Sequence, residues 1–342
     1  MHKPEIHNRR SYKIRRMIGS GGMILSLLII FSTAVYVYNN RASFIGPGKL
    51  QNPFATSGSP SGLHGISTCT TPQHDPGDSY ASITSWGLNR TLIIHLTPSY
   101  GQQPQPVVLA YHGYSQSASR MEQYTNLDAE ADKAGFIAVF PQGVDDPSSW
   151  NAGLGASGPT GDADDVQFTR DMLSYLAKNY CVNTHRIYVT GFSLGGGMAY
   201  RVACTLSGQI AAIATVAGAY YHAPGGCNPT RPLPVLEFHG QADNFAPYTG
   251  NPGAGTAAVQ TYLNVWLTHD KCDDTNKVFF QQDDVTGIEW TNCTTNTIVI
   301  HYRVSDGGHT WPGANANDSL GFTTHAIDAN VVMWNFFSKY SV

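Results

Sequence analysis

Val189-Thr190-Gly191-Phe192-Ser193-Leu194-Gly195-Gly196-Gly197 is the stretch on which the reading of this chain turns. Before it, residues 186–190 form a β-branched and aromatic run suited to a buried strand. After it, residues 198–203 are helix formers. Strand, Gly-x-Ser-x-Gly and helix in that order are the setting in which the motif marks a nucleophile elbow. The turn is too sharp for side chains beside the serine, so glycines stand there. Ser193 is then presented at a strand tip and a helix N-terminus, whose dipole favours developing negative charge. A Ser/Gly turn without chemistry is the plainer reading of the same residues.

Working outward, strands are predicted at 80–86 and 90–96, joined as a hairpin through Gly87-Leu88-Asn89, then at 106–111, 136–140, 212–216, 234–238 and 297–304. Helical spacing covers 117–134, 163–180, 256–267 and 327–340. This alternation predicts an α/β fold. Its sheet is mostly parallel, with an antiparallel N-terminal hairpin and helices on both faces. Active sites of such sheets lie at the carboxyl ends of the strands.

A serine hydroxyl needs a base to take its proton. His309 follows the last predicted strand in the glycine-rich loop 307–313, whereas His112 and His239 directly end strands and His301 lies inside one. The base needs a carboxylate to orient it. Asp243 stands just past strand 234–238, the place expected for the order Ser, Asp, His. Asp306 is read as a turn residue, and Asp164 and Asp165 as helix caps. The oxyanion needs two N–H donors, and those of Leu194 and Tyr114 are the expected pair.

The chain has 342 residues, 42% of them hydrophobic and 13% charged, enough for a large core. Lys3, Arg9, Arg10, Lys13, Arg15 and Arg16 against Glu5 make the first 16 residues strongly basic within a net charge of −4. The body is therefore acidic, which argues against nucleic acid as a partner. Residues 1–16 read as a cytoplasmic tail. Residues 17–38, uncharged and apolar, read as a transmembrane signal anchor, with a cleaved signal peptide as the rival. Residues 39–68 read as a Gly/Ser/Pro linker and residues 69–342 as the catalytic domain. The six cysteines show no metal-ligand spacing, and in an exported chain they read as disulfides.

The segments LAYHGYSQ (109–116), FPQG (140–143), WNAG (150–153), DDV (164–166), GFSLGG (191–196), FHGQAD (238–243) and GGHTWPG (307–313) occur in that order. Together they resemble the secreted feruloyl esterase and poly(3-hydroxybutyrate) depolymerase family of α/β-hydrolases, over about residues 69–340. The resemblance implies a single-domain serine esterase without metal or cofactor, with Ser193 as nucleophile, Asp243 as acid and His309 as base. It also matches the placement of Cys69, Cys181, Cys204, Cys227, Cys272 and Cys293. Among the pairings, Cys272–Cys293 is expected to close a short excursion, and Cys181–Cys204 is a second candidate. Trp150 and Trp311 are candidate walls for an aromatic acyl group, with plain packing as the alternative. Asn89, Asn292 and Asn317 head glycosylation sequons.

The expected activity is extracellular hydrolysis of an ester substrate, first a feruloyl ester of cell-wall polysaccharide, by a monomer held at the membrane through its N-terminal helix. A polyhydroxybutyrate depolymerase or acetyl xylan esterase is the alternative. A serine peptidase of the same fold is less favoured, because it would usually carry an additional gating domain. A catalytically inactive binding module is the rival from another class.

Overall fold

A computed structural model describes Cys69 and residues 74–153, 163–221, 226–315 and 318–342. The expected tail, anchor and linker (1–16, 17–38 and 39–68) lie outside these. Among the described residues, no helix is long and apolar enough to cross a membrane.

Ten strands form one sheet: β1 (Gly77–Ser85), β2 (Leu88–Leu96), β3 (Gln105–Tyr111), β4 (Ile137–Pro141), β5 (Val182–Phe192), β6 (Ala212–Val216), β7 (Val235–Gly240), β8 (Lys277–Gln282), β9 (Val285–Trp290) and β10 (Val299–Val304). Their order across the sheet is β1-β2-β4-β3-β5-β6-β7-β10-β9-β8. From β4 to β10 every neighbouring pair is parallel. β3, β4, β6 and β7 are buried along their whole length, as their unbroken apolar runs require when both sheet faces are covered. β1 alternates exposed and half-buried positions, the pattern of a one-sided edge.

The helices are α1 (Ala118–Thr125), α2 (Leu127–Ala134), α3 (Asp165–Asn179), α4 (Leu194–Leu206), α5 (Val259–Asp270) and α6 (Ala329–Phe337). Phe168, Met198 and Trp266 of α3, α4 and α5 share one core layer with Leu109 and Val189. Met121, Leu127 and Phe336 of α1, α2 and α6 share the other with Val108 and Leu236. Each helix thus buries its apolar stripe on one of the two sheet faces.

Three local details differ from the sequence reading. The first hairpin turns at Trp86-Gly87, where both residues have positive φ (52° and 73°), so Leu88 and Asn89 belong to β2. The predicted helix 117–134 breaks at Asn126, which is left-handed (φ 53°) and ends α1. The β8–β9 hairpin was not anticipated; it makes the far edge of the sheet antiparallel as well. Its strands are mixed in polarity and half exposed, so no apolar period marks them. The two-residue Asp283-Asp284 junction was the available signal.

The disulfides are Cys69–Cys181, Cys204–Cys227 and Cys272–Cys293. The third is the expected one. Cys181–Cys204 is corrected: Cys204 instead ties α4 to the segment crossing its end, where Thr230 and Arg231 bond Ser207.

Glu122 of α1 carries a testable burden. Its Oε1 is buried without a hydrogen-bond partner among the described residues. Burial, with Asp78 and Asp128 nearby, raises its pKa from 4.5 to about 7. The folded chain therefore holds a proton that the unfolded chain releases, and this stability is complete below pH 4.5 and lost as the pH rises through 7. Glu122→Gln is expected to leave Tm nearly unchanged at pH 4.5. At pH 8 it should raise stability by about 1 kcal/mol, a value reduced for partial solvent screening. Thermal unfolding at both pH values checks this; an equal gain at both would contradict it.

Candidate active site

The carboxyl ends of β3, β5, β6, β7 and β10 bring five loops to one edge of the sheet. Ser193 sits at the end of β5 with φ 58° and ψ −121°, a sparsely populated conformation for a residue with a Cβ. The surroundings hold it there. Its N–H donates to the Val216 carbonyl (3.0 Å), and its own carbonyl accepts from Gly197 (3.2 Å) and Ala219 (3.0 Å). The flanking glycines are required by close approach: a Cβ on Gly191 would strike the Gly195 carbonyl, and one on Gly195 would strike the Tyr111 carbonyl.

Asp243 lies three residues beyond β7. Its Oδ1 accepts the N–H groups of Phe245 and Ala246, each at 2.8 Å. Its Oδ2 lies 2.7 Å from Nδ1 of His309, with both side chains buried. Burial opposes charge on Asp243, but contacts with His239 and His309 outweigh it and hold the carboxyl well below the usual range. With Nδ1 of His309 donating to a carboxylate, Nε2 is the nitrogen left for acid–base work. The His309 loop is pinned by its own N–H to the Leu320 carbonyl (2.7 Å) and by Gly308 to Phe322 (2.9 Å). A Cβ on Gly240 would meet the Gly307 carbonyl, so the Asp243 and His309 loops meet only because glycine occupies the contact.

The loop after β3 is organised by His112. Its Nδ1 donates to the Gly113 carbonyl (2.8 Å) and its Nε2 accepts from the Gly143 N–H (2.9 Å). Burial pushes its pKa down to about 4, so the ring is a neutral pin. In this loop Gly113 donates to Gln116 Oε1, Ser115 to the Ser148 carbonyl and Gln116 to the Gly113 carbonyl. Among the described residues no acceptor meets the N–H of Tyr114, and Tyr114 borders the same cavity as Leu194.

That cavity has a volume of about 560 Å³ and brings together Ser193, His309, Leu194 and Tyr114. Its aromatic walls are Tyr114, Phe192, Tyr221 and Phe245. Phe245 is 65% exposed and its ring centroid lies 5.3 Å from that of His309. Trp150 and Trp311 are not in the lining, which corrects their reading as walls: they are 1% and 0% exposed. The indole of Trp150 donates to the His112 carbonyl (2.8 Å) and that of Trp311 to Asn330 (3.0 Å), so each is a packing residue behind the site. Phe245 and Tyr221 were missed. Phe245 stands two residues after Asp243, and an aromatic side chain in the same loop was the signal for it.

Asp164 caps α3 as expected, accepting from Gln167 (2.8 Å). Asp165 does not: its carboxylate is buried against Arg90 at 2.7 Å, a partner distant in sequence. Among the described residues no cluster of His, Cys, Asp and Glu is arranged to hold a metal ion.

Comparison with known proteins places this geometry in a family. Residues 96–279 match the α/β-hydrolase model described as Phospholipase/Carboxylesterase, a span containing Ser193 and Asp243. The chain is 39% identical over 155 residues to feruloyl esterase B of Piromyces equi, covering 44% of this chain and 28% of that protein. It is 24% identical over 257 residues to the bifunctional acetylxylan esterase/xylanase XynS20E of Neocallimastix patriciarum, covering 75% of this chain and 34% of that protein. The chain thus spans about a third or less of the length of these two relatives. Among solved structures, acetyl xylan esterase from Aspergillus awamori superposes with a TM-score of 0.54 at 16% identity, over 76% of this chain and 99% of that one, a likeness of fold. With more than half its length matched and its serine on the elbow of a mostly parallel sheet, this chain belongs to the phospholipase/carboxylesterase family of α/β-hydrolases.

Proposed function

We propose that the chain is an exported carboxylic ester hydrolase working through an acyl-enzyme, with a feruloyl or related aryl ester of plant cell-wall polysaccharide as substrate. One observation carries the chemistry: Asp243-bonded His309 and the strained Ser193 border a single cavity that Leu194 and Tyr114 also line. Ser193 Oγ attacks the ester carbonyl while its proton passes to His309 Nε2. Leu194 and Tyr114 hold the oxyanion. His309 then gives that proton to the leaving alcohol, and next takes one from water, which attacks the acyl-enzyme and releases the acid. Asp243 fixes the tautomer and stabilises the imidazolium throughout.

The acyl preference rests on the aromatic walls, above all Tyr221 and the exposed Phe245, which offer stacking area to a planar aryl group. The name of the Piromyces relative points the same way. An acetyl ester of xylan is the second reading, favoured by the name of the Neocallimastix relative. Three disulfides support an oxidising, extracellular compartment. Residues 17–38 are the segment that would direct export and anchor the chain.

The test is hydrolysis of methyl ferulate, a short aryl acetate, acetylated xylan and a poly(3-hydroxybutyrate) suspension. Ferulate turnover above the acetate background is the expected result. Release of acetate from xylan without ferulate turnover would establish the second reading. Clearing of the polymer alone would assign a depolymerase, and absence of turnover on all four would indicate a binding module.

A further inference from the structure

Behind Asp243 lies a buried charged group that the ester chemistry above does not use. Glu237 and His239 point to the same face of β7, and both are fully buried. Nδ1 of His239 lies 2.9 Å from Glu237 Oε1. Its Nε2 lies 2.8 Å from the Ala246 carbonyl and 3.5 Å from Asp243 Oδ2. A carbonyl oxygen can only accept, so Nε2 carries a proton. Nδ1 faces a carboxylate whose Oε1 already accepts from the Tyr220 hydroxyl (3.0 Å), so Nδ1 is a donor too. A ring whose two nitrogens both donate is an imidazolium.

The other groups around it are few. On β10, Arg303 is the register partner of His239, and His301 places Nδ1 2.5 Å from Glu237 Oε2, close but outside hydrogen-bond geometry. Tyr248 crosses the His239 ring at 5.8 Å and bonds His301 Nε2 at 2.8 Å. Tyr220, on the loop after β6, is 6.5 Å away ring to ring. Asp243 and Glu237 are thus the two carboxylates that meet the cation, and His309 shares Asp243 Oδ2 with it.

We propose that His239 is a positioning cation for the active site: an imidazolium locked between Glu237 and Asp243 that draws part of the aspartate's charge away from His309 and so extends the enzyme's activity to lower pH. This inference rests on the esterase reading above. The physics is that of two cations sharing one carboxylate. A lone Asp243 would stabilise protonated His309 fully, whereas a second positive charge on the same Oδ2 offsets part of that attraction. Glu237 keeps the cation in place. Burial disfavours charge on His239, but the contacts with Asp243 and Glu237 outweigh it and raise its pKa to about 10; burial also disfavours charge on Glu237, and His301 together with His239 outweighs it and holds that carboxyl down to about 2.

Two measurements on the full-length protein test this. The first is the histidine ring ¹⁵N spectrum of the wild type between pH 5 and 9. Both nitrogens of His239 are expected to stay protonated throughout, and a neutral ring in that range would overturn the proposal. The second is the acid limb of kcat/KM, which reports the essential base of the free enzyme. His239→Gln should move that limb upward by about one pH unit. A purely structural role would lower activity equally at all pH values, and a limb that stays in place in the folded variant would overturn the proposal. If His239→Gln does not fold, Glu237→Gln/His239→Gln removes both charges of the buried pair together, and its limb should move in the same direction. The spectrum is independent of turnover. A protein that hydrolyses no ester would therefore sink the functional reading and leave the protonation result standing.

Discussion

Ser193→Ala is expected to lower kcat by a factor on the order of 10⁶, the loss seen when the serine of such a catalytic unit is removed. It should also abolish labelling by a fluorophosphonate probe, since only an activated serine reacts. The fold should be unaffected. The strained backbone at Ser193 is held through main-chain bonds to Val216, Gly197 and Ala219, and these do not involve the hydroxyl. Alanine keeps the Cβ that already occupies the positive-φ position, so no new strain arises. The expected shift in unfolding free energy is within about 0.5 kcal/mol. Measured kcat, probe labelling and a melting curve on the same preparation check all three. Turnover retained in a folded Ser193→Ala protein would remove Ser193 from the mechanism and with it the esterase reading. Labelling lost together with the fold would instead show that the hydroxyl had a structural role.

Asp165→Ala is expected to destabilise the chain by about 3–5 kcal/mol, because it leaves the Arg90 guanidinium buried without its counter-charge. Arg90 and Asp165 meet at 2.7 Å with side chains 1% and 0% exposed. Burial raises the Asp165 pKa even though Arg90 opposes the shift. The second Asp165 oxygen accepts the Asn151 N–H at 2.6 Å, and the guanidinium lies over the Phe168 ring at 3.9 Å. One pair thus joins β2, the start of α3 and the segment carrying Trp150, whose indole holds the His112 carbonyl. The double variant Arg90→Met/Asp165→Leu removes both charges and should recover most of the loss, as replacing a buried pair by apolar groups commonly does. Denaturant unfolding of Arg90→Met, Asp165→Leu and the double variant gives the coupling energy. A loss below about 1 kcal/mol for Asp165→Ala would mean that water reaches the pair.

Asp165 also illustrates where sequence reasoning stops. Beside Asp164 at a helix start, it carries the composition of a cap, and Asp164 is one. Its true partner lies 75 residues away, and no local pattern encodes that pairing. Trp150 and Trp311 fail for the same reason. Proximity to site residues in sequence suggested pocket walls, but a large apolar side chain behind a loop gains more from full burial than from lining an open cavity. Phe245 and Tyr221 reach the cavity from loops whose paths are set by contacts with Asp243 and with the segment at Thr256. Likewise, the β8–β9 hairpin is stabilised by pairing with β10, and its own residues show little period.

What the amino-acid order determined by itself was local or periodic. It set the buried parallel strands through their unbroken apolar runs, the elbow through glycines that no other residue can replace, and the placement of Asp243 and His309 just past strand ends. These follow from backbone geometry within a few residues. The tertiary structure alone decided that Cys69 pairs with Cys181 and Cys204 with Cys227, which aromatic rings face the cavity, and that Asp165 meets Arg90. It also decided that Glu237 and His239 stand behind Asp243 as a buried ion pair. Each of these joins residues from separate strands and loops, and the packing of the whole sheet, rather than any stretch of it, brings them within bonding distance.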